Sequence, residues 1–441
     1  MTCCELREPC LRIPHAITVS STAGASGNRE ATKMNILVVT PEPLYPCRSG
    51  TAKRSLHLLL PLSSRHTVDC LALKLEGSDS RPVCSSELDF GSEFDGNCRR
   101  SITVGAPRAA VRLHYGFVWY SATFEERLKE TVRQGDYDVI FGVSSTMAYY
   151  LRCLTSPPVV VDLIDAEEMA CRRTLAHATV PRDRLRALRN LVLFQFFKKR
   201  VLRAHKDKEL VVVSEVDAEF LCRHLGCSRL HVIPLGVEPC FLEPFREKAM
   251  PEEPGVLMFH GSLGAPHNHD AAMYLLSEIY PRVLRSEPYT ALWVVGPGAR
   301  APLLKLAARF PKARVPGYEP DVKPWLEKAS VYVCPHTTGS GMKTKLLEAW
   351  AMGKAAVASP RALEGLAAQD QVNVLVARTP EQFATAIMRL LRDPELRRHI
   401  GREARKTVAE HYSALAQSQK LEALLASVAS QGSPTQAPIV E

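Results

Sequence analysis

The stretch HTTGSGMKTKLLEAWAMGKAAVAS, His336–Ser359, decides how this chain is read. Just upstream, VYVCP (Val331–Pro335) has the continuous apolar character of a short buried strand. The small residues Gly339, Ser340 and Gly341 then form a turn, and TKLLEAWAMG continues as a helix. Strand, glycine-rich turn and helix in that order let a backbone approach a ligand closely and aim a helix N-terminus at it. Lys343 and Lys345 add two positive charges, so a phosphate or diphosphate is the expected guest. Two familiar phosphate loops do not fit. A P-loop needs glycine directly before Lys-Thr, and here Met342 precedes Lys343-Thr344. A G-x-G-x-x-G fingerprint fails at its third glycine, where Thr344 stands.

Outward from this block the same alternation repeats. In the second half, strands are expected at 256–261, 291–298, 313–318, 331–335, 354–359 and 373–377. In the first half they are expected at 35–40, 66–74, 137–145, 158–168, 208–215 and 231–239, with a helix over 51–62. Apolar strands separated by helices predict parallel sheets covered on both faces. Residues near 75–105 show no regular pattern. The Pro- and Glu-rich stretch after Pro239 reads as a linker. The expected organisation is a disordered extension at 1–33, a first Rossmann-like domain at 34–239 and a linker at 240–254. A second Rossmann-like domain at 255–405, a C-terminal helix at 406–428 and a disordered tail at 429–441 follow. Ligands of such sheets bind beyond the strands' carboxyl ends, so the cleft between the two domains is the expected site.

The 441 residues carry a net charge of +9, with 46% hydrophobic and 23% charged residues, a normal globular composition. No uninterrupted apolar run is long enough to span a bilayer, and 1–33 lacks the pattern of a secretory signal. The 13 cysteines include no C-x-x-C pair and are expected to be reduced thiols in a cytoplasmic protein, without a metal site. Positive charge concentrates at 181–208, with ten Lys/Arg and two Asp among apolar residues. This predicts a basic amphipathic helix. Its apolar face either packs into the first domain or lies on an anionic membrane surface. Nothing else supports nucleic-acid binding.

The second half also resembles the donor domain of family 4 glycosyltransferases. The resemblance rests on FHGSLGAPHNHDAAMYLLSEIYPRVL, on ALWVVGPG and above all on VPGYEPDVKPWLEKASVYVCPHTTGSGMKTKLLEAWAMGKAAVAS. It extends through LEGL, NVLVA and the closing helices, covers nearly all of 34–425, and is stronger over 256–412 than over 34–235. It implies the GT-B fold: two doubly wound Rossmann-like domains facing across a cleft, with the last helix crossing back to the first domain. It implies a retaining, metal-independent transfer from a nucleotide-diphosphate sugar, as co-substrate and without a cofactor, to a glycan or lipid-linked acceptor. Localisation would be cytoplasmic, including the periphery of the inner membrane face.

The resemblance also implies roles for single residues. The family has two glutamates with seven residues between them. The second contacts the donor ribose and corresponds to Glu348. Ser340 replaces the first, as in a subset reading G-S-G-M/I-K-x-K. The family's Arg/Lys pair after the first strand is missing from GSLGAPHNHDA, so Lys343 and Lys345 are expected to neutralise the diphosphate. Backbone groups near Gly261, Ser262, Gly339 and Gly341 would assist them, and Gly50 would let its loop approach donor and acceptor. Asp165 is expected near the acceptor or reacting carbon, with Lys343 as its partner in the chemistry. Simpler readings stand beside these: Gly50 as a turn residue, Asp165 as a helix cap, and Lys345–Glu348 as a surface ion pair. Ser144 and Ser214 are caps or cleft hydroxyls. Two other functions fit the same fold, a nucleotide-sugar epimerase and a non-catalytic sugar-nucleotide or partner-binding module.

Overall fold

The computed structural model describes residues 33–45, 49–75, 97–115, 118–177, 181–227, 229–242, 252–339 and 341–432. Residues from Met34 onward form one compact unit. Its first sheet contains β1 (Asn35–Thr40), β2 (Thr67–Leu75) and β3 (Arg100–Ala106). After the hairpin β4 (Arg112–His114) and β5 (Val118–Tyr120) come β6 (Val139–Val143), β7 (Val159–Ile164), β8 (Glu209–Val212) and β9 (Leu230–Val232). The order is β3-β2-β1-β6-β7-β8-β9, and every pairing is parallel. The second sheet uses β10 (Val256–His260), β11 (Ala291–Val295), β12 (Ala313–Gly317), β13 (Val331–Cys334), β14 (Ala356–Ala358) and β15 (Leu375–Val376). Its order is β12-β11-β10-β13-β14-β15, again parallel.

The apolar runs read as strands are buried on both faces for a simple reason. Along β1, Leu37 and Val39 enter one core while Ile36 and Val38 enter the core on the opposite face. Along β10, Met258 enters one core and Leu257 and Phe259 another. In each sheet the order of strand addition reverses beside the first strand, between β1 and β6 and between β10 and β13. Such switch points open a crevice at the strands' carboxyl ends.

Two expectations change. Residues 100–106, placed in an irregular region, form β3 at the edge of the first sheet. Its sequence RSITVGA is only partly covered, so it lacks the continuous apolar signature of an inner strand. The helix expected at 406–428 is two helices, Pro394–His411 and Ala414–Gly432, interrupted at Tyr412 and Ser413. There the outgoing and returning crossovers pair: Val237 N–H donates to Tyr412 O at 2.8 Å, and Val237 bridges to Ser413. A Cβ on Gly236 would stand 2.9 Å from Ala414 Cα, so the two backbones meet only because residue 236 is glycine. The last helix then buries Leu421, Leu425 and Val428 with Ile36, Leu58 and Leu62 of the first sheet's layer. Ser418 Oγ donates to Leu58 O at 2.7 Å.

Candidate active site in the interdomain cleft

The loop after β13 has the backbone its glycines permit. Gly339 (φ 96°) and Gly341 (φ 68°) are both left-handed. A Cβ on Gly341 would lie 2.9 Å from Asp165 Cγ, so the first domain's Asp165 rests directly on this loop. Asp165 follows Ile164, whose φ of 68° is strained for a β-branched residue. Its carboxyl is pushed up to about 6 by burial and then by Asp217, with Lys343 opposing. Asp162, by contrast, is structural: it pairs with Arg54 at 2.7 Å, both fully buried, and Arg54 also donates to Ile233 O and Pro234 O. Ser214 caps the Glu215–Leu225 helix, accepting from Asp217 N–H at 3.2 Å. Ser144 has φ 81°, and its Oγ is buried without a hydrogen-bond partner among the described residues.

The two lysines enter the site from the start of the Thr344–Ala351 helix, which has no side-chain cap at its N-terminus. Lys343 Nζ donates to Gly341 O at 2.8 Å, and burial lowers its pKa. Lys345 is buried and donates to Asn268 Oδ1. No carboxylate pairs with Lys345 among the described residues. Burial, with Lys343 alongside, draws its ammonium down to about 8. A Cβ on Gly261 would fall 2.9 Å from Lys345 Cε, which accounts for glycine at the end of β10.

Asn268 organises this corner. Its Oδ1 faces both Lys345 and His336 Nε2 (3.1 Å), while its Nδ2 donates to Ser262 O at 2.9 Å. Burial and the two lysines hold His336 well below the usual imidazole range and His267 at about 4, so both rings are neutral. A Cβ on Gly339 would touch His267 Cβ at 3.3 Å. The sequence alone assigns no role to Asn268, His267 or His336. The signal was present in PHNHD, a polar cluster opening a helix directly after a buried strand.

Of the two readings of Glu348, the structure removes the surface ion pair. Glu348 does not pair with Lys345. Its Oε1 meets Lys53 Nζ at 2.7 Å and its Oε2 meets His260 Nε2 at 2.9 Å. Lys53 also reaches Glu238 at 2.9 Å, and His57 stands 3.6 Å from Glu238. Burial raises the Glu348 pKa, but Lys53 and His260 outweigh it and hold the carboxyl at about 2. Lys53 lies one turn beyond Gly50, the first residue of the Gly50–Ser63 helix. Nothing lies within 4 Å of where a Gly50 Cβ would be, so packing does not require glycine there. The structure thus gathers Gly261, Ser262, Gly339, Gly341, Lys343, Lys345, Glu348 and Asp165 around one seam. Ser340 lies outside the described residues.

Residues 48–240 match the family model described as Glycosyltransferase Family 4, and residues 254–393 match that described as Glycosyl transferases group 1. No curated protein matches the sequence. Among solved structures, sucrose-phosphate synthase from Thermosynechococcus elongatus superposes with a TM-score of 0.66 at 16% identity, covering 90% of this chain and 100% of that one. A glycosyltransferase from Rickettsia africae gives 0.63 at 14% identity, covering 90% and 99%. Anabaena HepE, in complex with UDP and glucose, gives 0.60 at 14% identity, covering 89% and 100%. These likenesses concern the fold, and the two family models cover both domains. The chain is a glycosyltransferase with the GT-B fold, its first half similar to the family 4 model and its second to the group 1 model.

Proposed function

We propose that this glycosyltransferase moves a sugar from a nucleoside-diphosphate sugar to a glycan or lipid-linked acceptor, with retention of anomeric configuration and without a metal ion. The observation that carries the reading is Lys345, a buried cation whose partner is an amide oxygen rather than a carboxylate. A desolvated ammonium without a counter-charge is costly, and an incoming anion would remove that cost. Lys343, the uncapped N-terminus of the Thr344–Ala351 helix and the backbone at Gly339 and Gly341 surround the same place. A diphosphate seated there would have its charge neutralised by protein groups alone. The UDP complexes of HepE and of the fold neighbour TarM are in keeping with a nucleotide donor.

In the reaction the bond between the sugar's anomeric carbon and the β-phosphate oxygen breaks, and its electron pair stays with the diphosphate. Lys343 and Lys345 stabilise that growing charge in a site already organised for it. The acceptor hydroxyl forms the new bond on the face the diphosphate leaves, and its proton passes to the departing phosphate oxygen. Asp165, from the other domain, positions the acceptor opposite the lysines. Glu348 meets the ribose once Lys53 gives up part of its hold. We place the enzyme in the cytoplasm, peripheral at the inner membrane face, where a lipid-linked acceptor would be met. Among the described residues no helix is long and apolar enough to cross a membrane.

The test is release of nucleoside diphosphate from a panel of donors in the presence of a chelator. One donor should be consumed by the wild type and not by Lys345→Met. Donor binding without turnover would instead favour a non-catalytic module, and dependence on added metal would remove the metal-independent part of the reading.

A further inference from the structure

The Pro181–Arg200 helix has two apolar faces, and only one belongs to the core. Ala187, Phe194 and Phe197 are buried in the first domain, continued by Val201 and Leu202. On the opposite side, Leu185, Leu188, Val192 and Phe196 are 69%, 48%, 53% and 56% exposed. Their spacing of three, four and four residues lines them along one ridge of the helix. A helix serving only as a cover for the sheet would carry polar residues there.

Cations border the ridge. Arg184, Arg186, Arg189, Lys199 and Arg200 are all exposed, and none forms an ion pair among the described residues. The sequence contains no Asp or Glu from Arg184 to Lys206. The β4–β5 hairpin packs beside the helix, with the Tyr115 ring 5.5 Å from Phe197. It adds a second exposed apolar pair, Leu113 and Trp119, directly opposite each other in the ladder and 47% and 44% exposed.

We infer that this face docks on an anionic lipid surface, with the ridge entering the headgroup boundary and the arginines and lysines reaching phosphates. Four features favour that occupant. The apolar surface is a narrow convex ridge, which a fluid interface accommodates and which a protein partner could cover only with a matching groove. The long basic side chains flank the ridge, where their stems can lie along it while the charged heads stay in the polar layer. A second copy pairing through the same face would bring unpaired cations against cations. Trp119 is a residue type that favours a membrane–water boundary.

The experiment is co-sedimentation of the full chain with vesicles of phosphatidylcholine containing about 30% phosphatidylglycerol, against pure phosphatidylcholine vesicles. Wild type should bind the anionic vesicles and not the neutral ones, and lose binding at high salt. Leu188→Glu/Phe196→Glu should lower binding at least tenfold. Arg184→Gln/Arg189→Gln should lower it roughly 25-fold, about fivefold for each charge. Leu304→Glu, an exposed apolar site in the second domain, should change nothing. Circular dichroism and nucleotide binding, read on the same variants, show that the fold and the donor site survive. Failure here is therefore distinct from failure of the transferase reading. Absence of wild-type binding, or binding unchanged in a folded Leu188→Glu/Phe196→Glu variant, would overturn the inference. So would a concentration-dependent dimer that the same double variant abolishes.

Discussion

Replacing Lys53 by methionine keeps the bulk of the side chain and removes one charge from the seam between the domains. Lys53 holds Glu348 at 2.7 Å and Glu238 at 2.9 Å, with the Glu348 side chain 13% exposed and that of Glu238 5%. The Glu348 carboxyl falls from 4.5 to about 2 in this setting. At about 1.4 kcal/mol per pH unit, that is roughly 3 kcal/mol of stabilisation of the ionised form. His260 supplies part of it, so Lys53→Met is expected to cost about 2 kcal/mol through Glu348, and more through the stranded Glu238. A carboxyl depressed in the folded state gives stability that is present above its unfolded pKa and lost as pH falls through the folded one. The difference between wild type and variant should therefore be full at pH 7. It should shrink between the ordinary carboxyl value of 4.5 and about 2. The assay is the urea midpoint followed by tryptophan fluorescence at a series of pH values, since Trp293, Trp325 and Trp350 all lie in the second domain. Lys53→Met/Glu348→Gln should recover the Glu348 share of the loss and leave the share owed to Glu238, whose charge stays stranded. A cost below about 0.5 kcal/mol at pH 7, or a cost that does not change with pH, would refute this account of the seam.

Gly341→Ala should lose transfer activity and about 1–3 kcal/mol of stability, measured by turnover and thermal melting, because φ is 68° and the new methyl would meet the Asp165 carboxylate. Asp165 gives a pH signature. With its carboxyl near 6 in the fold and 3.8 as reference, the folded state favours its protonated form. Its contribution to stability therefore falls as pH rises from about 4 to about 6. Activity that needs its charge should rise over the same upper range, and Asp165→Asn should flatten both profiles. Leu425→Ala removes a fully buried side chain joining the last helix to the first sheet, and should cost about 2–5 kcal/mol in the urea midpoint.

Inner strands were legible because a parallel sheet with both faces covered demands unbroken apolar runs, as in MNILVVT and VLMFHG. β3 was not, since an edge strand needs only partial cover and tolerates Arg100 and Thr103. The anion loop was legible from its glycines and lysines, which local backbone geometry explains. Lys53 could not be read in this way: its partner Glu348 lies 295 residues away, and only the closure of two domains joins them. Asn268 and His336 escaped for the same reason, being ordinary polar residues until the fold buries them beside Lys345. Periodicity showed that the 181–208 segment was amphipathic but not that its Pro181–Arg200 helix has two apolar faces, because both follow the same 3.6-residue repeat. The break at Tyr412 is equally tertiary, set by pairing with Val237.

The most direct test of the donor site is calorimetric titration of the purified protein with UDP, GDP, ADP, TDP and CMP, repeated on Lys343→Met/Lys345→Met. One nucleoside diphosphate should bind the wild type, weaken at least tenfold in the double variant, and raise the melting temperature in proportion to its saturation. No binding by any of them, or equal binding to wild type and a folded double variant, would contradict the claim that HTTGSGMKTKLLEAW holds the donor diphosphate.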